Sequence, residues 1–119
     1  MKEDNIIQKK SFDFAIRVVN ACKYLQENKR EYILSKQLLR SATSIGANIE
    51  EAIGGQSTPD FNSKISIAYK EARETSYWIK LLNKTEFLND KEADSLLKDL
   101  EDILKIIGKI QITIKNRNS

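Results

Sequence analysis

Leu34, Leu38, Ala42, Ile45, Ile49 and Ile53 recur every three or four residues, a spacing that only an α-helix turns into one apolar stripe. Three further stretches carry the same rhythm, and together they leave little chain for anything else. In the first, about residues 11–28, Phe12, Ala15, Ile16, Val19 and Cys22 trace one face, while Phe14, Val18, Ala21 and Leu25 extend it sideways. That apolar arc covers more than half the helix circumference, wider than a surface helix needs. Either this helix is central or it also meets another subunit. The second helix should span about 35–53, with Ser35 as N-cap and Gly54-Gly55 as a left-handed stop. The third, about 59–86, has Thr58 to cap it, Pro59 in its first turn and Asp60 at the positive end of its dipole. Phe61, Ile65, Ala68, Ala72, Thr75, Ile79 and Leu82 form its core stripe. The fourth, about 90–114, opens on Asn89-Asp90-Lys91-Glu92, a capping-box pattern, and Ala93, Leu96, Leu97, Leu100, Ile103, Leu104, Ile107, Ile110 and Ile114 supply its core face. The residues after Ile114 read as a mobile tail.

One proline and four glycines in 119 residues favour long helices with short turns over many strands. The expected fold is all-α, a single domain over residues 1–119, closed as an antiparallel up-down-up-down four-helix bundle. No stretch is apolar enough for a signal peptide or a membrane span, so a cytoplasmic protein without a membrane partner is expected.

Histidine is absent. That removes the usual general base, the Ser-His and Cys-His nucleophile pairs and the commonest zinc ligand. No motif supports an all-carboxylate metal site. The reading is of a non-enzyme with no cofactor, no metal and no catalytic residues. The single cysteine, Cys22, is flanked by apolar residues and reads as a small buried side chain.

A net charge of +3 is small, but it is unevenly spread. Residues 1–40 carry +4, residues 41–60 carry −3, residues 61–102 carry −2 and residues 103–119 carry +4. Lys105, Lys109 and Lys115 complement the dipole at the end of the fourth helix and have an ordinary explanation. Lys36 and Arg40 do not, because they sit near the positive end of the second. With Lys23, Lys29 and Arg30 they form a candidate nucleic-acid-binding end, diluted by Glu27 and Glu31. A solvated hairpin is the alternative. No exposed aromatic-basic platform is evident, so base-specific reading is not expected.

The segment RSATSIGANIEE, residues 40–51, places poor helix formers inside the second helix at a cost of roughly 3 kcal/mol relative to alanine. Wound as a helix, Ser41, Ser44, Asn48 and Glu51 share one strip beside the apolar stripe. Small groups there admit a close neighbour; a loop broken at Gly46 is the competitor. The facing strip on the third helix mixes Glu71 and Glu74 with Trp78. It reads as a half-buried flank in which the carboxylates bind Arg40, Ser41, Ser44 or Asn48, as a subunit interface anchored by Trp78, or, least of all, as a catalytic carboxylate cluster.

These residues carry a resemblance. Arg40-Ser41, Ser44 through Asn48 and Glu51-Ala52, then Phe61, Lys64, Ile67-Ala68, Lys70-Glu71, Glu74-Thr75 and Tyr77-Trp78, are similar to the pattern of the bacterial 23S rRNA intervening-sequence proteins. Proteins of that family are often labelled as ribosomal. The likeness extends from about Asn5 to Leu82, with Ala42 standing where the pattern has glycine. It implies a four-helix bundle that assembles as a homo-oligomeric ring, a homopentamer, with no established enzymatic activity. It also implies kinship with the accessory protein of diversity-generating retroelements, which binds nucleic acid and a reverse transcriptase. The function expected is therefore a non-enzymatic oligomer that binds RNA or DNA; the alternative is a protein-interaction scaffold or accessory factor for a polymerase.

Overall fold

A computed structural model describes residues 2–117, with the side chains of residues 2–4 left aside. It consists of α1 (Lys2–Asn28), α2 (Leu34–Ile53), α3 (Thr58–Lys84) and α4 (Asp90–Arg117), with no strand among the described residues. Each helix packs on its neighbours in sequence, and α1 closes the ring onto α4; among the described residues the backbones of the diagonal pairs stay more than 8 Å apart. Cross-helix contacts set the directions. Gln8 reaches Glu50 while Cys22 reaches Ser35, and Arg40 reaches Glu74 while Glu51 reaches Lys64, so α1, α2 and α3 alternate up and down. Asn83 meets Asp90 across the last turn, which sends α4 back along α3.

The core runs the length of the bundle. Leu38, Ala42, Ile45, Ile49 and Ala52 of α2 face Ile65, Ala68, Ala72, Ile79 and Leu82 of α3, all with 2% exposure or less. Each large aliphatic side chain removed from water stabilises the fold by about 1.5–3 kcal/mol. The stripes read from the sequence on α2, α3 and α4 pack inward, except that Ile53 is 40% exposed and Leu34, Phe61, Leu97, Leu104 and Ile114 are only half-buried.

On α1 the structure corrects the reading twice. The helix begins nine residues earlier than expected, at Lys2 rather than Ser11, because Ile7 and Ser11 continue the inward rhythm of Phe14, Val18, Ala21, Cys22 and Leu25. And the inward face is that set, not the Phe12 stripe: Phe12 and Ile16 are 65% and 48% exposed. Two apolar stripes compete on this helix, and packing against α2 and α4 buries the one that carries Ile7 and Leu25.

The helix ends differ in detail. Ser35 lies inside α2 and caps nothing; Glu31 serves that end instead, as described below. Gly54 closes α2 in right-handed conformation (φ −82°), and no glycine takes a positive φ among the described residues. At α3 the cap is Ser57, not Thr58, and its hydroxyl accepts from the Asp60 amide at 3.2 Å. Asn89 caps α4 as expected, accepting from the Glu92 amide at 2.8 Å. Helix α3 stops at Lys84, where Glu86 adopts φ 69°. The Phe87 and Glu86 amides then donate to the carbonyls of Leu82 and Asn83, a Schellman closure with a non-glycine at its left-handed position. Helix α4 continues through Lys115 to Arg117, so the expected tail is helical that far; Asn118 and Ser119 lie outside the described residues. No described helix is long and apolar enough to cross a membrane.

Candidate nucleic-acid interface

The α1–α2 hairpin is held by one carboxylate. The Glu31 side chain accepts from the amides of Ile33 (3.2 Å), Leu34 (3.1 Å) and Ser35 (2.7 Å), capping the start of α2 with negative charge at the positive end of its dipole. Beneath it the Ser35 hydroxyl donates to the Glu31 carbonyl (2.7 Å) and accepts from the Gln26 amide (3.2 Å), and the Cys22 thiol donates to the Ser35 carbonyl. Burial, and then the Glu31 carboxylate, push the Cys22 thiol up to about 11. It stays protonated at neutral pH and is no nucleophile.

Glu31 is spent on backbone amides and forms no ion pair with the described cations around it. Lys23, Lys29, Arg30 and Lys36 are all exposed at this end, and none is in an ion pair among the described residues. Arg30 sits in left-handed conformation, φ 52°, while the Glu31 amide donates back to Leu25. A cleft of about 830 Å³ opens beside Lys29 and Tyr24, between α1 and the α3–α4 turn.

Arg40 is placed elsewhere. Its guanidinium bridges Glu71 (3.2 Å) and Glu74 on α3, and Glu74 also accepts from the Trp78 indole N–H at 2.9 Å. Two carboxylates and one guanidinium leave that group with net negative charge. Four of the five sequence candidates thus lie exposed in or near the α1–α2 hairpin, and the fifth belongs to the α2–α3 seam.

The polar strip of α2 is divided by depth. Ser41 is fully buried, and the Thr75 hydroxyl of α3 lies 2.9 Å from its Oγ. Ser44 and Asn48 turn back onto their own helix, donating to the carbonyls of Arg40 (2.7 Å) and Ser44 (2.8 Å). Glu51 is exposed and pairs with Lys64 at 3.3 Å. The segment is helical throughout, so the loop alternative falls. Gly46 faces the α1 seam instead, where a Cβ would lie 3.5 Å from the Ser11 hydroxyl. Small residues thus let α2 approach both neighbours.

One surface escaped the sequence reading. Lys70, Arg73, Tyr77, Lys80 and Lys84 follow one another at three, four, three and four residues along α3, all exposed. The expectation that no exposed face joins an aromatic ring to cations does not hold. Helical spacing opposite the core stripe was the signal that would have found it.

A sequence model of the family described as 23S rRNA-intervening sequence protein matches residues 3–109. The chain belongs to that family. It is also similar to a crystal structure from Bacteroides thetaiotaomicron, a protein with unknown function from the S23 ribosomal protein family. The two are 46% identical, with 95% of this chain and 98% of that one covered and a TM-score of 0.91. No curated protein matches. The family frame places both the Arg40 clamp and the hairpin cations inside the matched span.

Proposed function

We propose that this member of the 23S rRNA-intervening sequence protein family is a non-enzymatic, RNA-binding bundle that works as a homo-oligomer. The observation that carries the reading is the hairpin end, where Lys23, Lys29, Arg30 and Lys36 are exposed and in no ion pair among the described residues, against the exposed carboxylate of Glu27, while Glu31 is turned to the α2 amides. Four unpaired cations at one end of the bundle attract phosphate, and repeating them around an assembly multiplies the contact without new sequence. The absence of histidine and the protonated Cys22 favour binding over chemistry.

Self-association has its own support. Phe12 and Ile16, with half-buried Ala15 and Val19 beside them, leave an apolar strip on the outer side of α1. A second copy of the chain covers it in this reading. Trp78, by contrast, is engaged within the chain, by Glu74 and by an edge contact with Tyr77 at 5.0 Å.

Anisotropy of a labelled structured RNA, titrated across a salt series, tests the binding. Micromolar affinity that falls steeply with salt, and falls further when Lys29 and Lys36 are reversed to glutamate, is the expected result. No binding at low salt would overturn the reading and leave a polypeptide, such as a polymerase, as the partner. Sedimentation of Phe12→Glu/Ile16→Glu, expected to show a smaller species than the parent, tests the assembly.

A further inference from the structure

We propose that the outer face of α3 is a track for single-stranded nucleic acid, with Lys70, Arg73, Lys80 and Lys84 holding phosphates and Tyr77 stacking on a base. The inference rests on the RNA-binding reading above, but it assigns a different surface and a narrower ligand.

The row begins with its geometry. Residues 70, 73, 77, 80 and 84 fall within about 80° of helix circumference and run for ~21 Å along it, with steps of ~4.5–6 Å. Their mean direction lies opposite the buried stripe of Ile65, Ala68, Ala72, Thr75, Ile79 and Leu82, so the side chains stand out from the bundle. Ser63 and Ser66, also exposed, prolong the row at the same spacing without adding charge.

Next comes its charge. None of the four cations is in an ion pair among the described residues. The carboxylates nearest in sequence, Glu71 and Glu74, are drawn to the adjoining flank that faces α2. Arg40 of α2 holds both, and the Trp78 indole holds Glu74 as well. The clamp at the α2–α3 seam therefore keeps the row positive. Without Arg40, only the Trp78 indole would hold Glu74 away from Lys70, one turn before it.

The ring decides the ligand. Tyr77 is 58% exposed at the middle of the row, with Arg73 one turn before and Lys80 one turn after. Its position is fixed by an edge-to-face contact with Trp78, 5.0 Å between centroids and 78° between planes. A braced, exposed ring between cations suits an unstacked base flanked by phosphates, whereas a duplex hides its base faces. An anionic membrane would call for more apolar surface than one tyrosine on this face.

The test compares a labelled unstructured RNA of about 20 nucleotides with its duplex, by anisotropy over a salt series, for the full chain and three variants. For the parent, single-strand affinity is expected to fall with log salt at a slope of about −2.8, four phosphates at about 0.7 each. Lys80→Glu/Lys84→Glu is expected to halve that slope. Tyr77→Ala is expected to weaken single-strand binding by about 5- to 150-fold while leaving the duplex unchanged. Lys29→Glu/Lys36→Glu separates the hairpin end. Parent binding that survives in both α3 variants, with melting curves unaltered, would overturn the track and leave the hairpin reading standing. Failure of the parent to bind either RNA at low salt would overturn both. Displacement of the RNA by polyglutamate at equal charge concentration would show a site for acidic polypeptide and overturn the assignment to nucleic acid.

Discussion

Substituting Arg40 by glutamine removes the guanidinium that joins Glu71 and Glu74 while keeping a polar side chain at the site. The arginine is half exposed, Glu71 is 19% exposed and Glu74 is 35% exposed, so the group lies between surface and interior. An exposed pair contributes about 0.2–1 kcal/mol. Two pairs share this cation, and Glu71 loses its counter-charge where water reaches it poorly, so the loss should be about 1–2 kcal/mol. With a urea m-value of about 1–3 kcal/mol per M, the midpoint should fall by roughly 0.3–2 M. The deficit should shrink in 1 M NaCl, where the screening length is about 3 Å. Lysine at position 40 should recover only part of it, since an ammonium cannot fork between two carboxylates. RNA affinity should change by less than about threefold, because the clamp carries net negative charge and Glu74 keeps the Trp78 indole. A tenfold fall in affinity with an unchanged urea midpoint would refute this account and return Arg40 to the phosphate-binding set.

Arg30 and Glu86 hold left-handed conformations, at φ 52° and 69°, in the two turns at the same end of the bundle. Each L residue there costs about 1–2 kcal/mol, so glycine at either site should stabilise by about 0.5–1 kcal/mol in thermal melts. Only Arg30→Gly should also weaken RNA binding; parallel behaviour of the two variants would deny Arg30 its role. Gly46→Ala should stabilise by up to about 1 kcal/mol, since the added methyl meets the Ser11 hydroxyl at an ordinary 3.5 Å. Gly46→Leu should destabilise, because the Ser11 backbone carbonyl lies just behind; equal urea midpoints for the two would show that the α1–α2 spacing is not set there. Native Cys22 should react with a thiol-specific disulfide reagent at pH 8 no faster than the protein unfolds. Its folded pKa of about 11 stands above the ordinary 9.0, so its stabilising share is full below pH 9 and lost as pH rises through 11.

Where a stripe had no rival, the sequence was enough. Ile45 and Ile49 on α2, and Ala68, Ala72 and Ile79 on α3, are apolar at one angle and polar at others, and each is fully buried. Helix α1 offers apolar residues over more than half its circumference, and nothing local separates the Phe14 stripe from the Phe12 stripe. Only the positions of α2 and α4 choose between them. The caps failed for a related reason. Ser35 and Thr58 are ordinary N-cap residues, but Glu31 reaches the first amides of α2 from outside the helix, and Ser57 holds the extended backbone that a cap requires.

The candidate site was half legible, and the missing half has a definite cause. Summed along the chain, residues 61–102 carry −2 and look unpromising for phosphate. Summed around α3 they separate. Lys70, Arg73, Lys80 and Lys84 lie opposite the core, while Glu71 and Glu74 lie on the flank that Arg40 occupies. A window along the chain averages over that angle; phosphate, arriving from one side, does not. The same sorting moves Arg40 out of the hairpin set, because a cation adjacent in sequence to a basic end can still be owned by the helix it packs against. The Arg40 clamp and the α3 row are thus two sides of one arrangement, in which a half-buried arginine holds the acids so that the outer cations are left to the solvent.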